Sequence, residues 1–418
     1  MTQADSPAAI QHCDVAISGA GMIGLTLALA LAQSGITVHL IDPVDPAEHV
    51  QHKDDHRATA IIRSSWEMFS VLGIADRLGE TASPISAIAV REQQEATPLQ
   101  FTADIGDVMG YMVPNIALIK ALLAAIAEQP GVHCHFGCTC AEREERGSKL
   151  ALTLDDGTHL SADVLVVAEG KRSPSLTSGG FSATRWSYDH HAIVATLAHD
   201  HGHDGVAFQH FLPGGPLALL PLSDAPGEEE GLPRHRSSLV WSMPAAQADG
   251  LMAIGPRGFA RELMRHVGDI TGAVQLAGAR GRFPLTFHNV TNPVRGRTVL
   301  IGDTAHALHP IAGQGFNLGL RDVACLAEIF AEAVRIGLDC GHADMLQRYA
   351  DWRAGDVTLM ASVTDSLMRI FALPEPLGRL RRGGMRAVGA IDPLRNMLAA
   401  EARGESGNLP RLLQGIAV

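Results

Sequence analysis

Hydrophobic positions along this chain fall into two kinds of run. Near the N-terminus, "DVAISGAGMIGLTLALALAQSGITVHLID" (Asp14 to Asp42) begins with an unbroken apolar stretch, Val15 to Ser18. Such a stretch predicts a short strand buried on both faces. The Ala/Leu-rich run that follows predicts a helix to about Gln33. Gly35 stops it, and "TVHLI" predicts a second strand closed by Asp42. The same order returns near residue 300. "RTVLIGD" predicts a strand, Thr298 to Ile301, that ends in Gly302 and Asp303. "GQGFNLGLRDVACLAEIFAEAVRIG" then predicts a helix, with Leu318, Val323, Leu326, Phe330 and Val334 on or near one face. Between these units the pattern shortens. "SAIAVREQQEATPLQFTA" alternates like a hairpin. "HHAIVATLAHD", "GVAFQHFL" and "SSLVWSM" predict short strands of a mainly antiparallel sheet. "SDAPGEEEGLPRHR" (Ser223 to Arg236) predicts a polar loop.

Composition narrows the class. The chain has 418 residues, 46% of them hydrophobic, which is enough for more than one domain and a large core. A formal net charge of −12 argues against a nucleic-acid binder. Its 6 cysteines show no disulfide framework, and no signal peptide or membrane-spanning run stands out. The expected setting is reducing and cytoplasmic.

The two glycine clusters carry the chemistry. Gly19, Gly21 and Gly24 form G-x-G-x-x-G between a strand and a helix, with Asp42 at the distance expected for an acid that holds ribose hydroxyls. The first glycine makes the turn, the second admits a pyrophosphate, and the third lets helix and strand pack closely. The first helical turn, at Met22 and Ile23, offers its N–H groups to the phosphates. Asp303 stands at the end of its strand, where open α/β sheets bind ligands. There it is placed to accept from a sugar-like hydroxyl. The second helix starts near Gly313, Gln314, Gly315, Phe316 and Asn317, so its N–H groups can face another part of the same ligand. A ligand that reaches both loops is a dinucleotide with an elongated polyol, FAD. In this reading Asp303 binds the ribityl chain, and the helix start near Gly315 and Phe316 faces the flavin edge that gains negative charge on reduction.

With these motifs in place, the sequence resembles the group A aromatic flavoprotein hydroxylases of the para-hydroxybenzoate hydroxylase fold. Within them it is most similar to the ubiquinone-biosynthesis hydroxylases. "GDTAHALHPIAGQGFNLGLRD" matches the family motif at Gly302, Asp303, His306, Pro310, Gly313, Gly315 and Asn317. "HRATAI" places Arg57 at the family's flavin-contacting arginine, and "VPNIALIKALL" places Asn115 and Leu118 in a cofactor-touching helix. "GPLALLPL" and "LQRYADWRAGDVTLMASVTDSLMRIF" also match, the latter at Tyr349, Arg353 and Asp356. One position departs: the usual Asp-Gly of the middle motif is Glu169-Gly170 here. The resemblance keeps Glu169 among the cofactor-binding residues, with a reach one methylene longer.

The resemblance implies an α/β protein. A Rossmann-like FAD-binding domain (1–82, 110–183 and 284–375) is interleaved with a mainly antiparallel β-sheet substrate domain (83–109 and 184–283). C-terminal helices follow (376–418). It also implies an NAD(P)H- and O2-dependent monooxygenase that hydroxylates a polyprenylated phenol. Other ubiquinone-biosynthesis proteins are candidate partners. His306 and Pro310 are the flavin-adjacent catalytic candidates, with a loop-fixing role open for His306. Alternatives on the same fold are a hydroxylase of another small aromatic, a halogenase, a prenyl reductase, or a non-catalytic FAD-bound scaffold. The halogenases' paired-tryptophan motif is absent, with Trp186 isolated.

Other signals are weaker. If "HCHFGCTC" is one strand, Cys134, Cys138 and Cys140 share one face and His133 and His135 the other, so a four-ligand metal site would need both faces or a break at Gly137. No metal is expected. His199, His201 and His203 read as a solvated turn. "LGRLRRGGMRAVGAIDPLRNML" carries Arg379, Arg381, Arg382, Arg386 and Arg395 among apolar residues, a candidate contact with the inner membrane face.

Overall fold

The computed structural model describes residues 10–51, 57–92, 98–103, 106–225, 231–307, 314–372 and 399–418. Strand Gln11–Ser18 lies at the centre of the parallel part of a mixed sheet. It pairs with Val38–Asp42 on one side and His159–Val167 on the other. Thr298–Leu300 extends the sheet beyond His159–Val167, and Val132–Phe136 extends it beyond Val38–Asp42. Val15, Ile17, Val164 and Val166 pack into one core and Ala16, Leu165 and Val167 into another, so the sheet is covered on both faces. This is why the segments 15–17 and 164–167 read as unbroken apolar runs. Helix Met22–Gln33 is buried from Gly24 to Leu31, as its all-round apolar sequence requires. It ends at Gly35, where φ is +81°.

The second sheet runs in the order His306–Ala307, Gly281–Val290, Ala183–His199, His235–Pro244, Gly215–Leu222, Val206–Leu212, Ala87–Glu92 and Leu99–Thr102. Its ladders are antiparallel except Val206–Leu212 on Ala87–Glu92. The expected strand at His190 begins earlier, at Ala183. It crosses a bulge between Ser187 and His191, because Gly281–Val290 continues to supply pairing on the far side. Asp189 in that bulge has φ +53°. The boundary expected at residues 283 and 284 lies within Gly281–Val290, next to the register shift in its pairing with Ala183–His199. His306–Ala307 pairs with His288 and Asn289, so the segment after Asp303 passes from the first sheet to the second. A small sheet of Ala58–Ile62, Gly110–Pro114 and Ser83–Ile85 lies beside them.

Three readings need correction. Val334 is 45% exposed, because the buried stripe of helix Gln314–Arg335 leaves the core in its last turn. "HCHFGCTC" is not one strand. Val132–Phe136 ends at Gly137, where φ is +81°, and a new strand starts at Cys140. His199 is no part of a solvated turn. It is buried at a strand end and hydrogen-bonded to Ser237 Oγ at 2.9 Å. Among the described residues no group of three or more His, Cys, Asp or Glu could hold a metal ion, and no helix is long and apolar enough to cross a membrane.

Candidate functional site

The parallel sheet delivers Gly19, Asp42, Glu169 and Gly302 to the same edge, at the C-terminal ends of their strands. Gly19 adopts φ +111°, and a Cβ there would lie 2.4 Å from Ala168 O. A Cβ on Gly24 would lie 1.9 Å from Gly19 O, so helix and turn meet backbone to backbone. Gly21 is different: a Cβ there would meet no protein atom within 4 Å. The open space sits at the N-cap of helix Met22–Gln33, where N–H groups are unpaired by the helix itself. That combination fits a pyrophosphate.

The second glycine cluster lies against the first. A Cβ on Gly302 would sit 3.4 Å from Ile23 Cγ1, and one on Gly319 would sit 2.7 Å from Ile23 Cδ1. Ile23 in the first helix therefore nests between the two glycines of the second unit. Asp303 is half-buried beside them. Asp42 is already engaged: Oδ2 accepts from Ala20 N at 2.6 Å and Oδ1 from Val44 N at 2.9 Å. Each oxygen keeps one further lone pair for a ribose hydroxyl.

Several expected cofactor residues also have partners within the protein. Leu118 is 0% exposed inside the main core and presents no side-chain surface to a ligand. Asn317 spends both arms of its carboxamide on strand Ala58–Ile62, accepting from Ile62 N at 3.1 Å and donating to Ala60 O at 2.8 Å. Asn115 Oδ1 accepts from Thr59 Oγ1 at 2.7 Å. Glu169 turns into a serine cage: Ser18 Oγ donates at 2.5 Å, Ser173 Oγ at 2.5 Å and Ser175 Oγ at 2.7 Å. The extra methylene lets it tie the first strand to helix Pro174–Ser178 rather than reach outward. Arg57 is exposed at the start of Ala58–Ile62. Met22, Gly315 and Phe316 are half-buried. Gln314 opens helix Gln314–Arg335. Pro310 and Gly313 lie outside the described residues.

His306 is buried, and its Nε2 donates to Asp322 Oδ2 at 2.7 Å. Its Nδ1 has no hydrogen-bond partner among the described residues. Asp322 also accepts from Gly302 N at 2.8 Å and, through Oδ1, from Arg353 Nε at 2.7 Å. Burial alone would raise the Asp322 pKa. The charges of His306 and Arg353 and the Gly302 N–H outweigh it and hold the carboxyl below its ordinary value. Arg353 is likewise buried, and Asp322 outweighs that burial and raises it. Asp322 escaped the motif reading. Its signal was present: an acid four residues from Leu318 and four from Leu326, on an apolar helical stripe, needs a buried partner.

The FAD-binding-domain family matches residues 12–358. Ubiquinone hydroxylase UbiL of Rhodospirillum rubrum is 37% identical over 410 residues, covering 96% of this chain and 93% of that protein. The chain belongs to the FAD-binding family that contains these hydroxylases. The 3-demethoxyubiquinol 3-hydroxylase of Escherichia coli is 30% identical over 382 residues, covering 90% of this chain and 95% of that one. Among solved structures, PqsL of Pseudomonas aeruginosa, described as a probable FAD-dependent monooxygenase, shares the fold. Its TM-score is 0.75 at 22% identity, covering 90% of this chain and 100% of that one. The family member described here is an FAD-dependent monooxygenase, and its cofactor is FAD.

Proposed function

We propose that this enzyme hydroxylates the aromatic ring of a polyprenylated phenol, a ubiquinone precursor, with O2 and NAD(P)H as electron donor. The observation that carries the reading is the meeting of the two glycine clusters around Ile23 at one edge of the parallel sheet. The names of two family relatives, a ubiquinone hydroxylase and a 3-demethoxyubiquinol 3-hydroxylase, support the substrate class. FAD, when bound, accepts reducing equivalents from the nicotinamide and passes one oxygen atom of O2 to the ring. The chain's own residues bind and orient. The first helix N-terminus and Gly21 take the pyrophosphate, Asp42 the ribose and Asp303 the ribityl hydroxyls. The helix start at Gly315 and Phe316 faces the flavin. His306 is the candidate proton-handling side chain. An aromatic patch in the second sheet is the candidate contact for the substrate ring. Trp186 stacks on Phe287 at 3.7 Å, and Phe287 packs with Leu318, Val357 and Tyr188. Leu318 belongs to the first turns of the helix that starts at the second glycine cluster, which supports this assignment.

The sequence holds no second nucleotide fingerprint, so the nicotinamide donor binds only transiently. A polyprenyl tail is apolar enough that the enzyme must meet a membrane surface to take up substrate. The basic stretch from Arg379 to Arg395, outside the described residues, supplies cations for anionic lipid. Deletion of the gene, followed by profiling of prenylated phenols, tests the reading. A precursor lacking one hydroxyl should accumulate and disappear on complementation. An unchanged quinone profile would reject it.

A further inference from the structure

A buried ionic chain runs from the second glycine cluster to the C-terminal segment. It starts at Gly302, the residue before Asp303, whose φ of +57° sets the direction of the chain there. Asp322 holds the Gly302 N–H and His306 on one oxygen and Arg353 on the other. Arg353 continues through Nη1 to Asp356 Oδ2 at 2.5 Å and through Nη2 to Leu318 O at 3.2 Å. Asp356 Oδ2 also meets Arg321 Nη1 at 3.1 Å. Arg321 Nη2 then donates to Gly404 O at 3.1 Å and Ser406 O at 2.7 Å. The segment so gripped packs as core: Leu412 and Leu413 are buried with Phe69 and Phe330, and Trp352 Nε1 donates to Asn408 O at 2.9 Å.

Two acids and two arginines alternate in this chain, with His306 at one end, and its inner members, Asp322 and Arg353, are 0% and 3% exposed. A buried pair of this kind tolerates little displacement, because breaking one contact leaves a charge without compensation. The unpartnered Nδ1 of His306 lies at the end nearest Asp303, so the chain ends on an unmet acceptor or donor inside the cofactor half of the molecule.

We propose that Asp322 is a positioning residue for the cofactor site, and that through Arg353, Asp356 and Arg321 it couples cofactor binding to docking of the C-terminal segment 399–418. The inference rests on Asp303 being the ribityl-binding acid. Asp322 fixes the backbone at Gly302 and therefore the aim of the Asp303 carboxylate. Arg321, about two turns along the helix from Gln314, acts only through the chain. Coupling is reciprocal: whatever tightens the segment tightens FAD, and FAD tightens the segment by the same factor.

The test uses full-length protein, stripped of FAD and reconstituted. Arg321→Ala leaves Asp322 and Arg353 paired and removes only the outer link. It should weaken FAD binding about 5- to 10-fold, within the usual range for coupled sites. Arg321→Lys should recover part of that loss. In an Asp303→Ala background the effect of Arg321→Ala on FAD affinity should shrink, because the group being aimed is gone. Hydrogen exchange at residues 404–416 should slow on adding FAD to the wild type. Equal loss of thermal stability with and without FAD, unchanged FAD affinity and exchange indifferent to FAD would reduce the chain to a structural tie and overturn the proposal. Asp303→Ala binding FAD like wild type, with Arg321→Ala still weakening it, would overturn the route through Asp303. A wild type that binds no FAD would overturn the cofactor reading and the coupling with it.

Discussion

Replacing Gly21 with valine separates binding from folding. Gly21 sits at φ −69° and ψ 178°, an extended conformation open to any residue, and its Cβ would meet no protein atom within 4 Å. The fold therefore has no steric objection, and the unliganded variant should lose about 1 kcal/mol or less, the difference between glycine and a branched residue at an N-cap. The valine methyls fill the space read here as the pyrophosphate cradle. Charge-assisted hydrogen bonds contribute about 1.5–3 kcal/mol each, so displacing the phosphates from two helix N–H groups costs about 3–6 kcal/mol. That corresponds to a rise of roughly two to four decades in the FAD Kd. Gly24→Ala is the contrast, since its Cβ would lie 1.9 Å from Gly19 O and only backbone movement relieves it. It should lower the thermal midpoint of the apoprotein itself. The assay is FAD titration by flavin fluorescence, beside thermal unfolding of both variants without FAD. A Gly21→Val protein that purifies with a full complement of FAD would refute the assignment.

Asp303→Ala should weaken FAD at least tenfold, the loss of one hydrogen bond to a charged acceptor, with the apoprotein melting near wild type; titration and calorimetry check it. Acid should destabilise the protein through His39. Burial, then His135 and His133, lower its folded pKa to about 4. The unfolded chain, near 6.5, binds a proton that the folded state refuses, so stability is lost as pH falls from about 7 to 5, by about 2 kcal/mol. Urea unfolding at both pH values should show this slope in the wild type and less of it in His39→Gln. Changing Arg379, Arg381, Arg382 and Arg386 to Glu should reduce co-sedimentation with anionic liposomes; equal binding by both proteins, or none by either, would contradict the membrane assignment.

The parts of the fold that were legible in sequence are those fixed by local rules. Gly19 and Gly35 meet a dihedral demand of their own and Gly24 a steric one five residues back, and the strands at Val15 and Thr298 are marked by short apolar runs. What escaped depends on partners distant in sequence. Asp322 announces that it needs a counter-charge but not that Arg353, 31 residues on, provides it. Asn317 carries a family motif, yet its carboxamide binds a strand 255 residues away. Glu169 differs from the usual acid by one methylene, and its three serines decide where that length goes. His199 reads as a loop histidine until the neighbouring strand supplies Ser237. Alternation along one segment does not reveal what an adjacent strand offers.

The central claim is oxygen transfer to a phenolic ring by this chain with FAD bound. It is tested most directly with purified holoenzyme, NAD(P)H, a prenylated phenol and 18O-labelled O2, followed by mass spectrometry of the phenol. The product should be heavier by one labelled oxygen, with NAD(P)H consumption that rises when the phenol is added. NAD(P)H oxidation that yields only hydrogen peroxide and leaves the phenol unlabelled would contradict it.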